Sequence, residues 1–432
     1  MGIQINGQTD TITATDGSLS IQGASGNLTG DLTGNVTGNV TGNLTGTAST
    51  ATAAATAYGL SGSPTLSGIT SVSTTNLTVN GNSYPSAGPL SNRNLIINGA
   101  MQVAQRGTSF TPATEFGYTL DRYITFFSNT GSANLTQETS SPPEGHTTYA
   151  RITSTGAASV TGRNLFSQIV EGQNLAPTKW GYSDAKDVTI SFWVRSSLTG
   201  DFGFAVNDTN QNPCIVMKYN IASANTWEHK TLLIPATTSG DFGLTSSGRG
   251  CWLFWDLGTS STHEYGTTDT WVDSSTRYAP TNVQQLITVS GATLDITGVQ
   301  LEVGSVATPF EHRSYGDELA RCQRYYWNVV FGDTETNSTI AQGTNWNGSV
   351  GFFTIYPPVS MRTSPSLEVS NTTNQYIAYS AGVGYNISTL TFDGATQPNA
   401  IEFSASIGGN QGNAVILRRQ NANAILRFFA EL

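Results

Sequence analysis

Residues 251–273 read CWLFWDLGTSSTHEYGTTDTWVD, the stretch in which side chains able to hold a sugar lie closest together. Trp252, Trp255, Tyr265 and Trp271 supply flat rings for the C–H surfaces of a saccharide. Asp256, His263, Glu264, Asp269 and Asp273 stand among them as partners for hydroxyl groups. Trp252 and Trp255 are three residues apart, so on a strand they face opposite sides. One of them belongs in a core and the other is free to be exposed. Tyr265 and Trp271 flank a Gly/Thr stretch of loop character, and loops are where binding residues concentrate. The candidate carbohydrate-binding set is therefore Trp252, Trp255, Tyr265 and Trp271, with Asp269 and Asp273 accepting hydrogen bonds.

The same carboxylates suit two other chemistries. Hydrolysis of a glycosidic bond needs two carboxyl groups roughly 5–10 Å apart, and Glu264, Asp269 and Asp273 offer such pairs on paper. Their oxygens also suit a structural calcium ion. Other catalytic signatures are absent from the sequence: no GxSxG elbow, no HExxH, no P-loop and no Gly-rich dinucleotide turn. The four histidines, His146, His229, His263 and His312, are scattered and read as isolated surface or satisfied side chains. The expectation is a binding protein with no catalytic residue, no metal ligand and no cofactor beyond room for that calcium. A second aromatic group, Trp346, Tyr356, Tyr376, Tyr379 and Tyr385, lies near the C-terminus amid Asn, Ser and Thr. It reads equally well as a binding surface or as the core of a small sandwich.

The elements that must position these residues are strands. Short alternating runs recur at 95–98, 118–127, 147–153, 164–170, 187–195, 202–206, 214–219, 226–234, 251–257 and 293–303, separated by turn residues, the pattern of a sandwich or jelly roll. In DVTISFWVR, Val188, Ile190, Phe192 and Val194 share one face and Trp193 takes the other. In ATLDITGVQLEV the apolar phase slips at Gly298, which predicts a β-bulge there. One helix is expected, at 315–326. Ser314 caps it, Leu319, Cys322 and Tyr326 lie on one face, and Asp317 can pair with Arg321.

Composition bounds the rest. Charged residues make up 11% of the chain, whereas 18 Phe, 16 Tyr and 8 Trp rule out a disordered composition. The net charge of −10, without a basic cluster, argues against nucleic acid and against an anionic membrane surface. No apolar run approaches the ~20 residues of a membrane-crossing helix. The three cysteines have neither CxxC nor zinc spacing and read as buried thiols of a chain assembled in a reducing cytosol.

Residues 26–46, GNLTGDLTGNVTGNVTGNLTG, repeat a four-residue unit in which Leu28, Leu32, Val36, Val40 and Leu44 alternate with Gly on one side and Asn, Thr and Asp fill the other. Alternation means extended chain. A lone strand of this kind cannot bury its apolar edge, but three copies around one axis can, with glycine beside each bulky side chain. The segment therefore reads as a thin, β-rich, trimeric shaft, with a flexible linker as the plainer alternative. The NLT and NVT triplets match glycosylation sites, but the N-terminus has no basic start or apolar stretch for secretion.

Several segments resemble tail-fibre proteins of tailed bacteriophages, including cyanophages: NLIINGAMQVAQRGTS (94–109), GYTLDRY (117–123), ISFWVRSS (190–197), ANTWEHKTLLIP (224–235) and, most distinctively, GVQLEVGSVATPFEHRSYGDELARCQRYYW (298–327). The shaft repeat and the AEL at 430–432 are similar as well. The resemblance implies a homotrimeric fibre in the virion tail, assembled in the host cytoplasm. It implies an N-terminal end attached to tail or baseplate proteins, and distal β-sandwich domains, similar to carbohydrate-binding modules, that recognise a bacterial surface polysaccharide. The expected fold class is all-β. An attachment segment (1–25) precedes the shaft and hinge (26–93); a jelly-roll domain (94–313), a connecting helix (314–328) and a C-terminal β-sandwich (329–432) follow. The expected function is adhesion to a host glycan. The alternatives are a tailspike depolymerase and a structural spacer or adaptor carrying another adhesin.

Overall fold

The computed structural model describes residues 91–432 apart from 112, 114–115, 129–132, 158, 274–276, 331–335, 371–373 and 398–399, together with a short pairing of Thr78–Val79 with Asn82–Ser83. The proposed attachment segment, the shaft repeat and its axial residues Leu28, Leu32, Val36, Val40 and Leu44 lie outside the described residues. The described chain is almost all β.

Its first part is a sandwich of two six-stranded sheets with antiparallel neighbours throughout. The strands are β1 (Ser109–Phe110), β2 (Phe116–Tyr118), β3 (Tyr123–Phe127), β4 (Ala133–Glu138), β5 (Tyr149–Ser154), β6 (Arg163–Glu171), β7 (Val188–Ser196), β8 (Gly200–Asn207), β9 (Cys214–Ile221), β10 (Glu228–Ile234), β11 (Arg249–Thr259) and β12 (Thr293–Val303). One sheet runs β9-β8-β11-β6-β3-β2 and the other β10-β7-β12-β5-β4-β1, so the chain repeatedly crosses between sheets, as in a jelly roll. The alternation read from DVTISFWVR holds: Val188, Ile190, Phe192 and Val194 are fully buried between the sheets, where Phe192 meets Phe204 at 6.4 Å.

Three local expectations are corrected. Residues 95–98 form no strand. There the Asn94 side chain continues the edge of β12, its Oδ1 accepting from the Leu301 and Ile96 amides and its Nδ2 donating to the Val299 carbonyl. Residues 118–127 split into two strands because the chain turns at Arg122, where φ is +71°. Helix α1 (Tyr315–Gln323) has the predicted cap, Ser314 accepting from the Asp317 amide, but ends at Gln323. Asp317 does not pair with Arg321. It accepts from the Ser314 hydroxyl, while Arg321 reaches back to Asn92.

Beyond the helix, a seven-stranded sheet and a three-stranded sheet enclose a second apolar core around Phe353, Phe403, Leu417 and Phe428. The three-stranded sheet returns the chain to the sandwich. There Arg122, 1% exposed, ion-pairs with Glu431, donates to the Ile169 carbonyl and stacks 3.6 Å from the Tyr325 ring. Cys214, Cys251 and Cys322 are buried and form no disulfide among the described residues, as expected. No described helix is long and apolar enough to cross a membrane.

Candidate functional site

The predicted bulge is the starting point of the site. The β12–β7 register breaks between Thr297 and Gln300, and Gly298 has φ +62°, a left-handed conformation that favours glycine. A Cβ at this position would sit 2.8 Å from the His146 ring and 3.0 Å from Trp193 Cδ1. The missing side chain therefore lets two rings close over the strand. Trp193 comes from β7, directly opposite Thr297, and lies beside His229 of β10 with ring centres 5.2 Å apart. His146 follows a turn closed by its amide on the Pro143 carbonyl. Its ring packs on Phe310 at 5.0 Å and on His312 at 5.5 Å.

The segment carrying Phe310 is pinned from below. The buried Glu302 carboxylate accepts from the Thr308 amide at 2.8 Å, from its hydroxyl at 2.7 Å and from Gln300 Nε2 at 2.8 Å. A cleft of about 490 Å³ results on the outer face of the second sheet. It is walled by Trp193, His229, His146, Phe310 and His312, with exposed Glu144 on its lining. Burial, helped by His312 and His229, pushes His146 down to about 4, so its imidazole is neutral at neutral pH. Its Nδ1 is buried without a partner among the described residues. Such a surface can stack a sugar ring, with the Glu144 carboxylate on the lining as an acceptor for hydroxyl groups.

The residues singled out by the sequence fare differently. Trp252 and Trp255 do face opposite sides of β11, but neither is available to a ligand. Trp255 is 0% exposed against Phe192 and Phe204, and Trp252 is 5% exposed, packed on Phe254 beneath the Arg249 guanidinium. The expectation of an exposed tryptophan fails because the chain following β11 returns across the sheet. Tyr278 covers Phe254 at 5.2 Å, and Tyr265 joins the same outer cluster. Trp271 packs elsewhere, against Trp180 and Phe242, and its indole N–H donates to the Pro235 carbonyl at 2.7 Å. Tyr265 and Trp271 thus belong to different apolar clusters and build no common platform.

Asp269 and Asp273 are exposed, and the Asp269 amide donates to the Val216 carbonyl of β9. Asp256 is sealed in, accepting from the Gly258 amide and the Thr259 hydroxyl, and burial pushes its carboxyl up to about 7. Burial also raises Glu264. In the C-terminal sheets Tyr376 is core at 1% exposure, whereas Trp346 and Tyr356 are 65% and 72% exposed.

The histidines correct the sequence reading most. Three of the four converge on one cleft. Their separation in the chain carried no signal of this; the usable signals were the outward Trp193 and the phase slip at Gly298. Among the described residues no group of three or more His, Cys, Asp or Glu could hold a metal ion.

No protein family and no curated relative matches the sequence. Among solved structures, the chain is similar to the enzymatically active domain of tailspike protein 4 from bacteriophage CBA120, at 12% identity over 49% of this chain and TM-score 0.28; the match spans 21% of that domain. It is also similar to the CBM22-1 xylan-binding domain from Paenibacillus barcinonensis, at 12% identity over 50% of this chain and 96% of that one, TM-score 0.25. A third is the carbohydrate-binding module TmCBM61 in complex with β-1,4-galactotriose, at 11% identity over 49% of this chain and 99% of that one, TM-score 0.24. None of these likenesses assigns a ligand or an activity to this chain.

Proposed function

We propose that this protein is a non-enzymatic, receptor-binding fibre protein of a tailed bacteriophage, and that its sandwich holds a host surface glycan in the cleft over Trp193. The observation that carries the site is the closure of Trp193, His229, His146 and Phe310 around Gly298. It makes an aromatic-walled hollow with an unpartnered ring nitrogen on a sheet face otherwise rich in polar side chains. The fibre role rests on the resemblance of the sequence and on the shaft repeat. Adhesion is favoured over cleavage because Glu144 is the one carboxylate lining the cleft among the described residues, and glycoside hydrolysis ordinarily takes two.

The sugar ring lies against Trp193. Covering roughly 60 Å² of apolar surface at about 25 cal/mol per Å² contributes about 1.5 kcal/mol. Trp193→Ala is therefore expected to weaken adsorption to host cells or purified host polysaccharide about tenfold, with the melting temperature of the sandwich little changed. Full adsorption by a folded Trp193→Ala protein would place the receptor site elsewhere, the exposed Trp346 and Tyr356 being the next candidates. Incubation with the same polysaccharide is expected to release no new reducing ends. Their appearance would make the chain a depolymerase.

A further inference from the structure

The sandwich and the C-terminal sheets meet along a groove of about 470 Å³, well apart in the fold from the bulge of β12. Arg106, Tyr118, Tyr326, Arg362, Phe429 and Glu431 are among its lining residues. In a chain of net charge −10, this junction is rich in arginine. One carboxylate, Glu431, serves both Arg106, at 2.8 Å, and the buried Arg122. Arg362 directs its N–H groups to the main-chain carbonyls of Ala430 at 2.7 Å, Ser247 at 2.9 Å and Glu431 at 2.6 Å. No carboxylate is set against it among the described residues. Glu368 is taken by Arg427 at 3.3 Å. Asp121, beside Arg106, spends its oxygens on the Gln105 amide and side chain. The lining itself holds two arginines and two glutamates; Glu431 and Glu368 are each already ion-paired, and Arg362 is the lining guanidinium with no carboxylate against it among the described residues.

Two lining residues also hold hydrogen-bonding capacity that the fold leaves unused. Arg106 is sandwiched between the rings of Tyr326, at 3.5 Å, and Tyr118, at 5.1 Å, and its Nη1 has no partner. Tyr326 is 2% exposed and its hydroxyl has no partner either. Buried polar groups in native proteins are met by protein, water or ligand in all but a few instances. The exposed lining residues are of a different kind: Thr363 and Ser366 bring hydroxyls, Phe429, 38% exposed, brings an aromatic ring, and Glu368 brings a carboxylate that is held by Arg427.

We propose that this groove is a second ligand site and takes an acidic sugar unit, its carboxylate drawn to Arg106 and Arg362 and its ring laid against Phe429. A guanidinium fork matches a planar carboxylate. The hydroxyl and aromatic lining matches the rest of a saccharide and has no use for a bare anion. The site is separate from the Trp193 cleft, and each can fail without the other.

Calorimetric titration of the full chain tests this with four probes: an oligoglucuronate, a neutral oligoglucoside of the same length, acetate and inorganic phosphate. The oligoglucuronate should bind at least tenfold tighter than the other three, and added salt should weaken it. Tyr326→Phe should reduce that affinity about tenfold while leaving the melting temperature unchanged or higher, since the hydroxyl removed has no partner in the fold. Thr363→Ala, at an exposed position, should reduce it several-fold. Equal binding of acidic and neutral oligosaccharides overturns the proposal. So does binding of acetate or phosphate as tight as that of the sugar acid, or wild-type affinity in both variants.

Discussion

His146 is a histidine held neutral by its surroundings. Its folded value of about 4 lies below the ordinary 6.5, so the unfolded chain takes up the proton more readily than the folded one. The contribution of the neutral ring to stability is complete above pH about 6.5 and is lost as the pH falls toward 4. The loss should be on the order of 1–3 kcal/mol. Thermal melts of the wild type and of His146→Asn between pH 7.5 and 4 measure it. The wild type should lose the greater stability across that window, and parallel curves would show that the ring does not titrate as its packing requires. Trp193 makes the complementary point. Its neighbour Phe192 is wholly core, and one residue of pleat separates a side chain that holds the sandwich together from one that lines the outer cleft.

Among the elements, β12 carries the most consequence per residue. Its bulge re-aims the strand and opens the space that His146 and Trp193 fill, and past Ile296, where pairing with β5 ends, the Asn94 amide takes up ladder groups of the open edge. Gly298→Ala would force a side chain onto a left-handed backbone and against both rings. It should cost about 1–3 kcal/mol of stability and remove glycan binding together with it, as denaturant titration and a host-binding assay would report. A wild-type midpoint would mean that the bulge rearranges without cost and does not shape the cleft.

For the whole molecule, the question is what joins its parts. Between the two apolar cores the buried Arg122–Glu431 pair is one link, beside neutral hydrogen bonds such as that of Gln105 to the Tyr326 carbonyl. Glu431→Gln would leave Arg122, 1% exposed, without its carboxylate, and breaking a buried pair in this way typically costs 3–5 kcal/mol. The single melting transition expected of the wild type should then separate into two, the C-terminal sheets unfolding first; one unshifted transition would contradict the assignment. For the N-terminal repeat the expectation is trimerisation around Leu28, Leu32, Val36, Val40 and Leu44. Light scattering of the full chain should give three times the monomer mass. Replacing Gly34 and Gly38 by Val should crowd the axis and lower it, whereas a stable wild-type monomer would exclude the shaft.

Much of the sandwich was legible in the sequence because strand faces and turns are written in short-range pattern. The alternation of Val188, Ile190, Phe192 and Val194 against Trp193, the phase slip at Gly298 and the Ser314 cap each depend on a few neighbouring residues, and each appears where the pattern places it. The site was not legible in the same way. Whether Trp252 is exposed depends on where the chain after β11 goes, and it folds back to bury that face under Tyr278. Whether His146, His229 and His312 meet depends on β10, β7 and β12 lying side by side in one sheet. Periodicity settles which way a side chain points from its own strand. Which strands become neighbours, and which loop covers which face, is decided by the packing of segments far apart in the chain, and so only the tertiary structure could decide it.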